Sequence, residues 1–391
     1  MTRRRRLSAV AFAFVLAAGR AYAGLPLVVD DDGLDCKGAA FRTIGAAIAA
    51  AEAGDEVLVC AGSYPEQVVL GKKLVLRGQQ GAVIRPTTLP DVRPNATGSR
   101  MVAAAIVVDG GSAIIDGVTV DLSGNTVGGC SPLLAGIYFK NTSGIVTGST
   151  ITGLQVHGHP ECDSGVGIDV ETGPIGERFG RPILGRARVV LAENAISNFQ
   201  KDGILASGPQ SVVRVVDGEI AGLGSTAGAV QNGLDFNGGA KGKISGVHVH
   251  DVTSEVSGKT AAGVLLYEAG RVSVRTSLIE GAQTGIFIFG HGRVLASELR
   301  NLGTDGIVLL GDANLVTGTI VDGTSISGIF VNGFSNTVRS GLIANTAVGL
   351  WLYAGKGNGY QGINFENVGL HIAGDYHAQR DLTEAAAAPL L

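Results

Sequence analysis

The sequence predicts an all-β chain wound as a parallel β-helix, a solenoid of about twelve coils with a short capping α-helix near its start. Three observations predict it. The first is composition. The 391 residues include 61 Gly and 11 Pro, and are 45% hydrophobic but only 5% aromatic. Small turn residues between short apolar runs point to many short strands; there is no Gly-X-Y period, and the chain is too apolar for disorder. The second is a recurring Gly–apolar–x–apolar pattern. It appears as GIYFK at Gly136, GIDVE at Gly167, GILAS at Gly203, GLDFN at Gly233 and GVLLY at Gly263, then GIFIF at Gly285, GIVLL at Gly306, GIFVN at Gly328, GLWLY at Gly349 and GLHIA at Gly369. The intervals run from 36 residues in the early copies to 20–22 in the later ones. The third is a second apolar segment inside each interval, such as VSVRTSLI and VRSGLI. One such coil cannot bury its own apolar face, but stacked coils close a continuous interior. At about 4.8 Å per coil the rod measures roughly 55–60 Å.

The elements follow in chain order. Residues 1–23 read as a signal peptide: an Arg-rich start, a short apolar stretch and a small-x-small site, Ala21-Tyr22-Ala23. Cleavage is expected after Ala23, placing the protein in a secreted or periplasmic compartment. Residues 24–80 are expected to form a cap and the first coils. In AFRTIGAAIAAAEAG, Phe41, Ile44, Ile48 and Ala51 fall on one helical face, and Gly54 is placed to end the helix. The runs EVLVC, KLVLRG and AAIVVDG are looser copies of the coil strands. The β-helix proper is expected over 81–375. A tail follows over 376–391, which either extends into solvent or covers the open end.

Removing the leader removes five Arg and no acid, so the formal charge moves from -4 to about -9. That disfavours nucleic acid as a partner, since phosphate binding needs a basic surface. No later apolar run is long enough to span a bilayer. Four cysteines remain: Cys36, Cys60, Cys130 and Cys162. An even count in an exported chain reads as two disulfides. Three connectivities exist, and sequence order favours Cys36–Cys60 with Cys130–Cys162. A zinc site is the poorer reading because no CxxC spacing occurs.

The stretch VVDDDGLDCKGAAFRTIGAAIAAAEAGDEVLVCAGSYPEQVVLGKKLVLRG resembles the opening segment of secreted right-handed parallel β-helix repeat proteins of the pectate-lyase-like superfamily. The marks are the T-I-x-x-A-I-x-x-A helix, G-D-x-V-x-V, G-x-Y-x-E and the K-x-L-x-L-x-G strand. The resemblance covers most of the mature chain and implies a right-handed helix. It says little about activity, because that superfamily includes lyases, hydrolases, epimerases, esterases and proteins of unknown role.

Strand alternation assigns the outward positions of the Gly-led strand. In the first coils these are Tyr138 and Lys140, Asp169 and Glu171, Leu205 and Ser207, Asp235 and Asn237. From Leu265 onward they turn aromatic or aliphatic. The coils from Gly136 to Gly263 also carry insertions, including LQVHGHPECDSG and TGPIGERFGRPILGRAR, which could wall a cleft. The candidate site is therefore the outward face of residues 136–240, with Tyr138, Lys140, His157, His159, Asp169, Glu171, Lys201, Asp202, Asp235 and Asn237. The plain alternative is a solvated polar face.

Two chemistries compete there. A lyase acting on a uronide needs a base near the C5 proton and a means of neutralising the carboxylate. Lys140, Lys201, Tyr138 or His157 could be that base, and Asp169, Glu171 and Asp235 could hold Ca2+. A glycosidase needs two carboxyl groups flanking the bond. Asp169 and Asp235 lie two coils apart, about 10 Å by strand spacing. FGHGR at Gly290–Gly292 matches the G-H-G letters of β-helix polygalacturonases, but it follows its strand and reads as a Gly-x-Gly turn. HGHPECD and HVHD place histidines and acids close enough for a transition metal, although a polar loop and two surface histidines explain them as well.

Trp351, the single Trp of the chain, falls on an outward position with Tyr267, Phe287, Phe289, Phe330 and Tyr353. Such a row could stack against sugar rings, form a side-by-side homo-oligomer interface, or lie under a loop. The leading expectation is thus a secreted polysaccharide-active or polysaccharide-binding protein, with lyase-type cleavage of an acidic glycan as the first enzymatic reading. The runner-up is a non-catalytic surface or adhesion β-helix that self-associates through the aromatic row.

Overall fold

The structure is a computed structural model that describes residues 24–374 and the short strand Arg380–Asp381. The expected leader and most of the expected tail lie outside the described residues. Each coil contributes three strands, and each strand pairs in parallel with its counterpart one coil on. The first ladder holds the Gly-led strands. It runs from Val68–Leu70 through Met101–Asp109, Leu133–Lys140, Val166–Glu171, Asp202–Ser207, Asn232–Asn237 and Ala262–Tyr267, and reaches the 370–374 end of Gly359–Gly374. The second ladder begins with Leu27–Val29, Glu56–Val59, Leu74–Gly78 and Ala113–Asp116. The third begins with Gly62–Tyr64, Ala82–Ile84, Thr119–Asp121 and Thr150–Thr152. In the minimal C-terminal coils the strands run through the corners, as in Thr337–Ala354.

The Gly-led pattern has a steric cause. A Cβ on Gly167 would sit 2.3 Å from the Gly203 carbonyl oxygen and 2.5 Å from Ile196 Cγ2. The next coil's backbone and the third-strand aliphatic side chain already fill that space, so the position admits only hydrogen. The apolar residues that follow point inward. Ile168, Val170, Ile204, Leu234, Phe236, Leu350 and Leu352 are all buried in one continuous core. Trp351, between two of them, faces outward as its parity predicts.

A second ladder of side chains runs inside a turn. Asn314, Asn336 and Asn358 are buried one coil apart, and each amide bonds the next: Asn336 N donates to Asn358 Oδ1 at 2.9 Å, and Asn314 N to Asn336 Oδ1 at 2.9 Å. This satisfies turn backbone that the interior would otherwise strand without partners.

The capping helix forms over Ile44–Ala50 with Thr43 as its N-cap. Glu66 adds a long-range cap, accepting from Ile44 N at 2.7 Å and Gly45 N at 2.8 Å. Ile44, Ala47 and Ile48 bury against the first coil. Phe41 departs from expectation. It precedes the helix and forms a parallel bridge with Val29, because the chain is still extended until the cap residue. Disulfides join Cys36 to Cys60 and Cys130 to Cys162, as sequence order favours, and fit an oxidising compartment. Among the described residues no helix is long and apolar enough to cross a membrane.

Candidate functional site

Parity sends Tyr138, Asp169, Leu205, Asp235, Leu265, Phe287, Val308, Phe330 and Trp351 down one outward column, and the observed register pairs them in that order. A cleft of about 380 Å³ opens on the early part of this face. Asp163, Glu171, Thr172, Lys201, Asp202, Ser207, Asp235 and Asn237 line it, with Asn95, Thr97, Ser99 and Arg100 along one wall.

That wall is the feature the sequence reading missed. Residues 85–100 leave the solenoid, and Val92–Pro94 returns antiparallel against Met101–Ala103. The excursion covers the polar ladder, so the expectation of a solvated face fails at its first members. Tyr138 is fully buried, and its hydroxyl donates to Glu171 Oε2 at 3.1 Å. Glu171 also accepts from Ala96 N at 3.1 Å and from Arg100 at 3.0 Å. Arg100 thereby lies over Asp169, 3.8 Å away. Asp169 is 0% exposed, and neither of its carboxylate oxygens has a hydrogen-bond partner. It sits beneath the cleft floor and does not line it.

Electrostatics separate the carboxyl groups. Asp169 is driven well above the ordinary carboxylate range, first by burial and then by the charge of Glu171. Asp235, 8% exposed, is pushed up to about 8, by burial first and then by the charge of Asp202. One oxygen of Asp235 accepts from Asn237 at 3.2 Å, and the other has no partner. Asp202 is also raised by burial, but Lys201 and an Asn232 amide at 3.0 Å pull against that rise. Near neutrality the arrangement therefore favours a proton on Asp235, whose rise the charge of Asp202 supports, while Lys201 and Asn232 oppose the rise of Asp202. Pairs of acids whose surroundings push them apart in this way divide acid and base roles.

The basic candidates change character. Burial alone would lower Lys201, but Asp202 and Asp163 outweigh it and raise its ammonium above the ordinary lysine range. Its Nζ donates to the Val230 carbonyl at 3.0 Å and stands 3.4 Å from Asp163. A lysine held this way is a fixed cation rather than a base. Tyr138 is raised chiefly by burial, then by Glu171 and Asp169, so its hydroxyl keeps its proton. Lys140 pairs across its ladder with Asp109 and Glu171 but does not line the cleft.

The expected loop walls are partly absent. The insertion after Glu171 forms an exposed hairpin, Pro174–Arg178 with Arg181–Leu184, that contributes nothing to the cleft lining. His157 bonds the Ser123 carbonyl at 2.9 Å and His159 pairs with Glu161 at 3.1 Å, both away from the cleft. In the G-H-G letters, Gly292 N donates to the buried Asn314 at 2.6 Å, so they serve the turn ladder.

Toward the C-terminus the same outer face becomes aromatic. Tyr267 and Phe289 stack with ring centroids 5.0 Å apart. Phe330 meets Trp351 edge-on at 5.5 Å and Tyr353 at 5.6 Å. Tyr267 is 48% and Tyr353 63% exposed, and Phe287, Phe330 and Trp351 are half-buried. Cleft and aromatic row thus share one sheet, the row beginning one coil beyond Asp235.

Residues 183–367 match a family model described as "Right handed beta helix region". No curated protein sequence matches the chain. Among solved structures, the chain is similar to the Azotobacter vinelandii mannuronan C-5 epimerase AlgE4 A-module, at 11% identity over 86% of this chain and 93% of that one, TM-score 0.46. It is similar to the Yersinia enterocolitica Family 28 exopolygalacturonase at 10% identity, over 92% and 77% of the two chains, TM-score 0.49. It is similar to the periplasmic alginate epimerase AlgG at 13% identity, over 81% and 77%, TM-score 0.47. These are likenesses of overall winding and carry no assignment of chemistry.

Proposed function

We propose that this chain, a right-handed parallel β-helix protein of the pectate-lyase-like superfamily, is a polysaccharide-active enzyme that cleaves a glycosidic bond by carboxyl acid–base catalysis. The observation that carries the reading is the buried Asp202/Asp235 pair facing one cleft in different surroundings, Asp202 beside Lys201 and the Asn232 amide, Asp235 with one partnerless oxygen. Asp235 donates its proton to the glycosidic oxygen as the bond breaks. Asp202, whose carboxylate form Lys201 and Asn232 favour, takes a proton from the attacking water. Lys201 and Arg100 add positive charge beside a polar substrate. The polymer extends from the cleft along the aromatic row, where Tyr267, Phe287, Phe330, Trp351 and Tyr353 meet the apolar faces of sugar rings.

This reading favours hydrolysis over the lyase chemistry expected first. A lyase requires a basic group poised for a C5 proton, and the lysine and tyrosine nearest the cleft both keep their protons. The acids at the cleft could still hold Ca2+, but their burial and raised proton affinity suit proton transfer better. The test is product formation by the purified mature protein on pectate, alginate, hyaluronan and neutral glycans, with and without calcium. New reducing ends without unsaturated-uronide absorbance are expected, and Asp235→Asn should abolish them. Unsaturated products would overturn the acid–base assignment in favour of a lyase. Silence across the panel, with an oligomer that Trp351→Ala dissociates, would replace the enzyme by the self-associating reading.

A further inference from the structure

A second cluster lies on the third ladder, whereas the cleft lies on the first. His248 and His250 alternate on the strand His248–Val252 and so share its outer face. The preceding coil brings Glu219 opposite His248, and the following coil brings Glu280 opposite His250. The side chains then cross. His250 Nε2 stands 3.3 Å from Glu219 Oε1, and His248 Nε2 stands 2.9 Å from Glu280 Oε1. The rings lie 4.7 Å apart, tilted by 35°. Ligand atoms of Glu219, His248 and His250 all fall within 4.8 Å of one another.

A further contact orients one ring. His250 Nδ1 pairs with Asp251 Oδ2 at 2.7 Å. Asp251 adopts φ 57°, a left-handed backbone that an aspartate tolerates at a coil corner. An imidazole whose Nδ1 is engaged by a carboxylate presents Nε2 as the free ligand atom, the arrangement that orients metal-binding histidines. Nothing in the cleft chemistry uses these groups.

We propose that His248, His250 and Glu219 form a binding site for a first-row divalent transition ion, of which Zn2+ is the best fit. Two imidazoles and a carboxylate match the nitrogen and oxygen ligands such ions prefer. With metal–ligand bonds near 2.1 Å, tetrahedral ligand atoms stand about 3.4 Å apart. A spread within 4.8 Å therefore closes by small rotations of the exposed Glu219 and the half-buried histidines. His248 exchanges its Glu280 contact for the ion, and water takes the remaining position. The bound ion ties the Glu219 coil to the His248 coil from outside, complementing the backbone ladder within.

The test uses the full mature protein with any affinity tag removed. Zn2+ titration by calorimetry should give one saturable site, and Co2+ should give visible absorption displaced by Zn2+. His248→Ala and His250→Ala should each weaken binding at least tenfold, and the double variant should abolish the Co2+ absorption. Asp251→Asn should weaken binding by about 10- to 100-fold while the ligands stay in place. Asp202→Asn in the cleft should leave it unchanged. Absence of saturable binding overturns the proposal. So does binding that survives in the double histidine variant, or that disappears with Asp202→Asn. All these side chains but Asp202 are partly or fully exposed, and circular dichroism of the variants confirms that the coils persist.

Discussion

Asp235→Asn tests the cleft at its most informative atom. The substitution keeps the side-chain shape and an oxygen that still accepts from Asn237, and removes both the titration and the donor proton. Two consequences follow. In catalysis, loss of a positioned general acid costs about 10²–10⁴ in turnover, and the alkaline limb of the rate–pH profile, expected near 8, should vanish with it. In stability, the sign comes from the raised acidity constant. The native state holds the Asp235 proton where the unfolded chain has released it, so wild-type stability is fully present below about 4. It declines as pH rises toward about 8. Each tenfold change in proton affinity is worth about 1.4 kcal/mol. A move from 3.8 to about 8 therefore sets a ceiling near 6 kcal/mol. Asp202 and Lys201 readjust when the charge changes, so about 1–3 kcal/mol is the expected recovery at pH 9. Denaturant unfolding from pH 4 to 9 reads this directly, with the variant flatter than wild type and more stable at the alkaline end. Parallel stability profiles for the two proteins would refute the assignment of a buried, proton-holding Asp235. Unchanged turnover would refute its role as the acid.

Lys201→Met should remove the counter-charge of Asp202 and move the acid limb of the rate–pH profile upward, measurable on any substrate found in the panel. Trp351→Ala should raise KM for long polymers about tenfold, the equivalent of one stacking contact, while leaving kcat on the shortest substrate unchanged. A loss of kcat there would count against a remote binding role. Asn336→Ala should destabilise the solenoid by about 2–4 kcal/mol in urea unfolding, since it strands the Asn314 amide and breaks the bonds to Gly311 and Asn358.

Much of the site was legible because a solenoid repeats. Once Ile168 and Val170 are assigned to the interior, alternation places Asp169 and Glu171 outside. The same step repeated over two coils reaches Asp235 and Asn237. The aromatic row from Tyr267 to Tyr353 emerges by the same count. Arg100 and Asn95 were not legible this way. They lie in an aperiodic Pro-rich excursion, where no period says which coil the chain will lie against. The pair at His248 and His250 was visible as an alternating strand, but the acid that completes it, Glu219, comes from the coil before. Only the register between coils sets Glu219 opposite His248, from where its side chain crosses to His250.

The sequence by itself determined the winding, the inward residues, the outward columns and the capping helix, because each depends on local periodicity and on hydrogen filling a space that a Cβ cannot. The tertiary structure alone decided which outward groups are wet. Burial under residues 85–100 puts Tyr138 and Asp169 out of reach of water, and burial, helped by the charge of Asp202, favours a proton on Asp235. Desolvation depends on what the rest of the chain lays over a residue, and no pattern within a strand encodes it.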